Sequence, residues 1–300
     1  MSEFVNTVDV LGDEAVMDSL INRTITEYAD NGVVTVGQYA FNGCKALVSV
    51  DLPNATKLEI YAFCDCTALV EASAPAVTAV GARVFSGCSS LKRVDFPLLT
   101  QLTELLFYNC TSLTEANLPE VTKSSYGSAF SGCTALQAIS MPKATSLGTN
   151  TFNGCKSLAS AYLPVLNAVS SSAFQDCTSL TSIALPAVGV INGSAFSGCS
   201  ALAKADFSAA TTVSGSAFAK CSVLTALILR RTAAVCTLSS TTAFTSTPIA
   251  SGTGYIYVPA ALLDSYKAAT NWSTYADQFR ALEEYTVDGT TTGALDETKI

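Results

Sequence analysis

Residues 174–199 read FQDCTSLTSIALPAVGVINGSAFSGC and contain one full copy of a unit that recurs through most of the chain. The unit is anchored by the pattern Phe-x-x-Cys-x-x-Leu, which occurs nine times in succession. Its cysteines are Cys44, Cys66, Cys88, Cys110, Cys133, Cys155, Cys177, Cys199 and Cys221. The step between them is 22 residues except for one of 23, where an extra residue enters near Lys123–Gly127. A fixed period of this length predicts a repeat architecture.

Each unit contains an alternation of apolar and polar residues that is typical of a short strand with one buried face. In the quoted copy, the apolar residues of this strand are Ile183 and Leu185, and Pro186 follows at once. A proline stands at the same place in seven units. Because proline has no N–H to donate to a ladder, it marks the point where strand pairing ends. A second apolar pair, here Val188 and Ile191, precedes the next corner.

One unit of this length cannot bury its own apolar face, whereas stacked copies place Leu on Leu, Phe on Phe and Cys on Cys. Glycine before the ladder cysteine, as at Gly198, permits a tight bend at the corner. Recurrent proline and β-branched residues exclude a long helical array. The predicted fold is a repeat solenoid with a parallel β-sheet, a 22-residue period and short helices only at its caps.

The segments Leu180–Pro186 and Ala195–Cys199 resemble the BspA-type leucine-rich repeats, and the resemblance covers about residues 22–285. It implies a right-handed leucine-rich-repeat solenoid. Such solenoids occur in bacterial surface adhesion proteins and in related proteins of gut bacteria and their phages. The chain departs from the family pattern at Ser208 and Arg230, which stand where other units have proline.

The sequence divides into five predicted segments. These are an acidic N-terminal cap (1–21) with a short helix over Asp13–Ile21, a degenerate first repeat (22–43), nine repeats of which the last is degenerate (44–243), a C-terminal cap (244–285), and a polar tail (286–300). The cap is predicted to contain a strand over Tyr255–Val258, a helix over Ala260–Ala269 and the sole tryptophan, Trp272. Atypical ends of this kind are expected because an open stack exposes its core at both ends.

The composition excludes several classes of function. The chain of 300 residues has no histidine and a formal net charge of −8. The missing histidine removes the most frequent general base and every His-ligated metal site. The negative charge disfavours nucleic acid as a partner. The sequence has no run of 18 apolar residues, so membrane insertion is not predicted. Neither a cofactor nor a metal is predicted.

The eleven cysteines are interpreted as core thiols, because their regular spacing suits neither a metal site nor disulfides. Cys64 and Cys236 lie outside the ladder and are predicted to be the more reactive thiols. Arg93, Asp95 and Glu115 form a charged group that could in principle act in acid–base catalysis. No motif fixes such roles, so the chain is predicted not to be an enzyme.

The remaining prediction is binding, since repeat proteins present extended surfaces whose outward positions vary. The outward strand positions lie five and seven residues after each ladder cysteine. We predict that the ligand-binding residues among them are Asp51, Arg93, Asp95, Glu115, Asn117 and Tyr162. A face that is only solvated would show the same pattern of polar residues.

Two functions follow from this interpretation. The first is adhesion or receptor recognition on a bacterial cell or phage particle, with a cell-surface protein or glycan as partner. The second is a structural spacer or self-assembling virion component. Residues 1–30 lack a basic start and an apolar core, so no secretory signal is predicted. The segments Asn6–Val10 and Gly289–Gly293 resemble leucine-rich-repeat proteins of gut bacterial phages or prophages, so the cell surface or a virion is the expected location.

Overall fold

The computed structural model describes residues 23–124 and 127–282. The chain divides into two units, Met1–Tyr162 and Leu163–Ile300, which we call the N-terminal and C-terminal units. The predicted helix over Asp13–Ile21 and the polar tail lie outside the described residues, as do two residues of the segment that contains the 23-residue step.

The N-terminal unit is built from two parallel ladders. Its strands are Glu27–Ala29 (β1), Thr35–Val36 (β2), Ser49–Asp51 (β3), Lys57–Leu58 (β4), Glu71–Ser73 (β5), Ala79–Val80 (β6), Arg93–Asp95 (β7), Gln101–Leu102 (β8), Glu115–Asn117 (β9), Lys123–Ser124 (β10), Ala138–Ser140 (β11) and Ser160–Tyr162 (β12). The three-residue strands pair in the order β1-β3-β5-β7-β9, and β11 pairs with β12. The two-residue strands pair in the order β2-β4-β6, and β8 pairs with β10. Each coil therefore contributes to two parallel ladders, where the sequence predicted one.

The C-terminal unit continues the same construction and ends in a helical segment. Its elements are β13 (Ala168–Val169), β14 (Ser182–Ala184), β15 (Val190–Ile191), β16 (Lys204–Phe207), β17 (Thr212–Val213), β18 (Ala226–Leu229), β19 (Thr237–Leu238), a 3-10 helix (Thr241–Phe244), α1 (Pro248–Ser251), β20 (Tyr255–Val258), a 3-10 helix (Ala260–Leu262), α2 (Leu263–Ala268), a 3-10 helix (Trp272–Gln278) and β21 (Phe279–Ala281). The sheets run β14-β16-β18-β20-β21 and β13-β15-β17-β19, with parallel pairing throughout. The predicted parallel-strand repeat solenoid with a 22-residue period is confirmed.

The core consists of columns of identical side chains. In the N-terminal unit the ring centroids of Phe41 and Phe63 lie 4.9 Å apart, and the column continues to Phe152. A second column joins Phe174 to Phe244 in the C-terminal unit. The spacing follows the distance between paired strands, so each ring packs against its copies in adjacent coils.

The ladder cysteines make a second repeated contact. The Cys66 thiol donates to the carbonyl oxygen of Phe41 at 3.0 Å, and the Cys221 thiol donates to that of Phe196 at 3.1 Å. All eleven cysteines are free and buried. The prediction that the ladder cysteines are core thiols is confirmed, and burial raises the pKa of the Cys66 and Cys221 thiols well above the usual range.

The β16–β18 ladder shows what proline does at the end of an outer strand. Strand β7 ends at Asp95, two residues before Pro97, whereas β16 and β18 extend to Phe207 and Leu229. Proline is absent at Ser208 and Arg230, and the Arg230 N–H donates to the carbonyl oxygen of Phe207 at 3.2 Å. Proline therefore ends strand pairing, as predicted, because it cannot donate this bond.

Two positions in each coil have a left-handed backbone. One is the residue before the ladder cysteine, which is glycine in five coils, with φ between 68° and 79° at Gly43, Gly87, Gly132, Gly154 and Gly198. In the other four coils it is Asp65, Asn109, Asp176 or Lys220, with φ between 57° and 63°. The other lies five residues before the cysteine and is never glycine. It is occupied by Tyr39, Tyr61, Arg83, Leu105, Ser128 and Asn150 in the N-terminal unit, and by Ser172, Ser194 and Ser216 in the C-terminal unit. The sequence pattern did not predict this second position.

Candidate functional site

The outward side chains of β3, β5, β7, β9, β11 and β12 form one surface of the N-terminal unit, which we call the strand face. The register places Glu71, Arg93 and Glu115 in one row. A parallel row contains Asp51, Ser73, Asp95 and Asn117. Because side chains at equivalent positions of paired strands project to the same side, the repeat aligns these polar groups at a spacing of about 4.8 Å.

Four of the six predicted ligand-binding residues form a contact group. Arg93 Nε lies 3.8 Å from Glu115 Oε2, and the Asn117 side-chain amide donates to Asp95 Oδ1 at 2.7 Å. The Arg93 and Glu115 side chains are 64% and 70% exposed, so this ion pair is open to solvent. Asp51 is two strands from Asp95 in the same row, which is roughly 10 Å at the standard strand spacing. Asp51 is therefore on the same face but outside the group.

Tyr162, the sixth predicted residue, closes one end of a groove of about 660 Å³, which we call the Tyr162 groove. Its other end is formed by Arg93, Glu115 and Asn117. Between these ends the outward positions of β11 are the small residues Ala138 and Ser140, and Gln137 also lines the groove. Ser160 stands beside Tyr162 on β12. The Tyr162 side chain is 59% exposed, so its ring is available for contact.

A second depression of about 500 Å³ lies beside Arg93 and is lined by Glu71, Ser73, Lys92 and Asp95. Arg93 borders both depressions. Glu71 and Ser73 stand at predicted outward positions but are not among the six predicted ligand-binding residues. Their position five and seven residues after Cys66 was the signal that could have identified them.

The chemistry available on the strand face is that of non-covalent recognition. The Tyr162 groove offers a guanidinium, a carboxylate, an amide, hydroxyl groups and an exposed aromatic ring. Within residues 23–124 and 127–282, no group of three or more Cys, Asp or Glu side chains is arranged to hold a metal ion. No helix within these residues has both the length and the apolar character that are needed to span a membrane.

Near the end of the C-terminal unit, Ala226 and Ile228 stand at the outward positions of β18 but are covered, which corrects the prediction of an open face there. Both are buried in a cluster with Tyr257 and Leu282. Asp206 was also predicted to face outward, but it accepts bonds from the Arg230 guanidinium, of which the shortest is 2.7 Å. The C-terminal cap therefore covers positions that the repeat pattern alone assigns to solvent.

That Cys64 and Cys236 are the more reactive thiols stays a prediction. Both thiols are buried. Burial, together with the adjacent Asp65 carboxylate, raises the pKa of Cys64 to about 11, and burial raises the pKa of Cys236 to about 12. Because the thiolate is the nucleophile, neither residue is activated near neutral pH.

The comparisons with known proteins agree with this architecture. The BspA type leucine rich repeat region matches in six copies, over residues 10–137, 56–165 and 123–248. No curated protein sequence matches the chain.

Similar solved structures include a leucine rich cell surface protein from Faecalibacterium prausnitzii A2-165, which is 23% identical with a TM-score of 0.48, covering 86% of this chain and 78% of that one. A leucine rich repeat protein of T. pallidum is 24% identical with a TM-score of 0.42, covering 57% and 72%. A leucine-rich repeat protein from Bacteroides ovatus is 17% identical with a TM-score of 0.35, covering 85% and 92%.

The family match spans most of the chain, from residue 10 to residue 248. The chain belongs to the BspA-type leucine-rich-repeat family.

Proposed function

We propose that the chain is a non-enzymatic recognition module that mediates adhesion or receptor recognition on a cell surface. Its partner is a protein or glycan that enters the Tyr162 groove. Membership in a leucine-rich-repeat family supports a binding role in general, because repeat proteins of this type present extended binding surfaces.

The observation that carries the proposal is the exposed Tyr162 ring at the end of a groove in which the outward positions of β11 are the small residues Ala138 and Ser140. Tyrosine and arginine are enriched among residues that dominate binding energy. Here they stand at opposite ends of one groove, with Ala138 and Ser140 of β11 between them. A partner that fills the groove would contact both ends at once.

The charges at the Arg93 end favour a polar partner. Arg93 and Glu115 are exposed and weakly paired at 3.8 Å. A ligand can therefore replace the solvent around either side chain with little loss of ion-pair energy. Asn117 is positioned by Asp95 through a 2.7 Å hydrogen bond and presents its amide at the same end. This end of the groove thus offers both hydrogen-bond donors and hydrogen-bond acceptors.

The test compares the Arg93→Ala, Glu115→Ala, Tyr162→Ala triple variant with wild type in binding of fluorescently labelled protein to bacterial and epithelial cells. Truncation of binding anchors costs about 2 kcal/mol or more, so we expect cell binding to weaken by roughly 30-fold or more. The matched control is Glu120→Ala with Lys143→Ala, which removes an exposed 2.6 Å ion pair outside the groove. The control should bind like wild type.

Equal binding by the triple variant and wild type would overturn the assignment of the site. Size-exclusion chromatography with light scattering separates the alternative function, self-assembly as a spacer or virion component. A wild-type protein that binds no cell and forms oligomers abolished by the triple variant would favour that alternative.

A further inference from the structure

A stack of planar side chains lies on a different part of the N-terminal unit, and no residue of it lines the Tyr162 groove. The rings of Tyr39 and Tyr61 are stacked with centroids 5.0 Å apart and an interplanar angle of 12°. The Arg83 guanidinium carbon lies 5.7 Å from the centroid of the Tyr61 ring. We call these three residues the tyrosine column.

The column stands on a backbone conformation that disfavours bulky side chains. Tyr39, Tyr61 and Arg83 have φ values of 60°, 58° and 59°. A left-handed backbone strains a bulky residue more than it does a small polar one. In the C-terminal unit the same repeat position is serine, at Ser172 and Ser194. The fold therefore does not need aromatic residues at this position.

A cleft of about 350 Å³ adjoins the column along the β2-β4-β6 ladder. Its lining includes Gln38 and Ile60, which immediately precede Tyr39 and Tyr61 in the chain. Space for the cleft comes from Ala79 and Gly81, which contribute almost no side chain to the lining. A Cβ atom at Gly81 would collide with the backbone nitrogen of Ile60, so only glycine permits this close approach of the two coils.

The cleft combines polar groups of both kinds with apolar surface. Lys57 Nζ lies 2.9 Å from Glu59 Oε1, and the Lys57 hydrogen bond lowers the pKa of the Glu59 carboxyl. Ile60, which is 41% exposed, and Val80 supply the apolar part of the cleft, and the Tyr39 ring of the adjoining column is 42% exposed. Lysine and carboxylate compensate each other's charge, so the cleft has no excess charge for an ion to neutralise.

We propose that the cleft and the adjoining tyrosine column bind a neutral oligosaccharide. A sugar ring has C–H faces that pack on Tyr39 and Ile60, while its hydroxyl groups both donate and accept hydrogen bonds. Glu59 accepts such bonds, Lys57 donates them, and the Gln38 side chain does both. The volume lies at the lower end of the range of about 300–1,000 Å³ for small-molecule sites. This site goes beyond the function proposed for the strand face and shares no residue with it.

The test uses Tyr39→Ser combined with Tyr61→Ser. Serine occupies the same left-handed position in four other repeats, so the double variant should fold and keep the wild-type melting temperature. The probes are the soluble neutral tetrasaccharides cellotetraose, maltotetraose, mannotetraose and xylotetraose, measured by saturation-transfer difference NMR and calorimetry. We expect at least one to bind wild type, with Kd at least tenfold higher for the double variant. Glu59→Gln, which leaves the column intact, should raise Kd about threefold.

Two controls separate this site from others. Tyr108→Ser removes an exposed tyrosine outside the column and should leave saccharide binding unchanged, as should the Arg93, Glu115, Tyr162 triple alanine variant. A wild type that binds none of the four saccharides would overturn the proposal, even if a protein or peptide binds to the tyrosine column. Wild-type affinity in the double variant, or loss of saccharide binding in the strand-face triple variant, would also overturn it. Cell binding through the Tyr162 groove can fail or succeed independently of these results.

Discussion

The strand face of the N-terminal unit and the last outer strands of the C-terminal unit occupy the same repeat positions but have opposite environments. Arg93, Glu115 and Asn117 are exposed five or seven residues after their ladder cysteines. Ala226 and Ile228 stand at equivalent positions of β18 and are buried against Tyr257 and Leu282. A position in the repeat therefore sets the direction of a side chain, while the neighbouring segments determine whether it meets solvent.

The two arginines show the same contrast. Arg93 and Glu115 are exposed and 3.8 Å apart. Arg230 and Asp206 are 30% and 15% exposed and share three hydrogen bonds, the shortest of 2.7 Å. Arg230 replaces the proline that ends other strands, so its N–H extends the ladder while its side chain holds Asp206. One departure from the repeat thus converts part of an open face into a structural interface.

The largest expected effect is at the cap. The buried Trp272 indole donates to the carbonyl oxygen of Cys236 at 2.6 Å, and its ring contacts Phe244, Tyr266 and Phe279. Trp272→Ala should lower the free energy of unfolding by about 3–5 kcal/mol, measured by urea unfolding with circular dichroism. Tyr162→Ala, which removes an exposed ring, should change it by no more than about 0.5 kcal/mol. Similar losses for both variants would contradict the contrast between the two regions.

A second pair of variants tests equivalent outward positions directly. Ile228→Ala empties part of the buried cluster with Tyr257 and Leu282 and should cost about 2–5 kcal/mol. Asn117→Ala is the matched change on the strand face, and its cost should stay within about 0.5 kcal/mol. Differential scanning calorimetry would show this as a lower melting temperature for the Ile228 variant alone. An unchanged melting temperature for that variant would mean that the cap does not bury β18 in solution.

The third prediction compares the two ion pairs. Asp206→Ala leaves the half-buried Arg230 guanidinium without its carboxylate, and hydrogen bonds to charged groups contribute about 1.5–3 kcal/mol. Glu115→Ala removes a solvent-exposed partner and should cost about 0–1 kcal/mol. Urea unfolding at low and high salt gives both values. A larger loss for Glu115→Ala than for Asp206→Ala would reverse the ranking.

The smallest effect concerns the two thiols outside the ladder. Their pKa values are raised to about 11 for Cys64 and about 12 for Cys236. The thiolate fraction at pH 8 is therefore higher for Cys64 than for Cys236, and iodoacetamide should label Cys64 before Cys236, as read by peptide mass spectrometry. Denatured protein should accept label at all eleven cysteines. Faster labelling of Cys236 in native protein would contradict this order.

The same shifts fix the sign of a pH dependence. A thiol pKa that is raised in the folded state stabilises the fold fully below the unfolded-state value of about 8.5. That contribution is lost as the pH rises through the folded value, which is about 11 for Cys64 and about 12 for Cys236. The melting temperature should therefore fall as the pH rises above about 8.5, and Cys64→Ala should reduce the slope. A melting temperature that rises over this interval would contradict the assignment.

Much of the fold could be predicted from the sequence, because the features that specify it are local and repeated. Phe152 and Cys155 mark the core of one coil, and their counterparts in the other repeats do the same. Pro97 marks the end of a strand. The left-handed position at Tyr39 could not be predicted in this way, because tyrosine, arginine, leucine, asparagine and serine all occupy it. A side chain's identity gave no signal where the geometry of the whole coil imposes the conformation.

For the candidate site, the sequence alone determined that Arg93, Asp95, Glu115 and Asn117 project from one side of adjacent strands, because a 22-residue period aligns equivalent residues. Only the tertiary structure showed that the small residues at 138 and 140 leave a groove that ends at Tyr162. It also decided that Ile228 is covered, through contact with Leu282 far along the chain. Periodicity specifies direction, whereas burial depends on which distant segments pack against a surface, and a repeat pattern does not encode those segments.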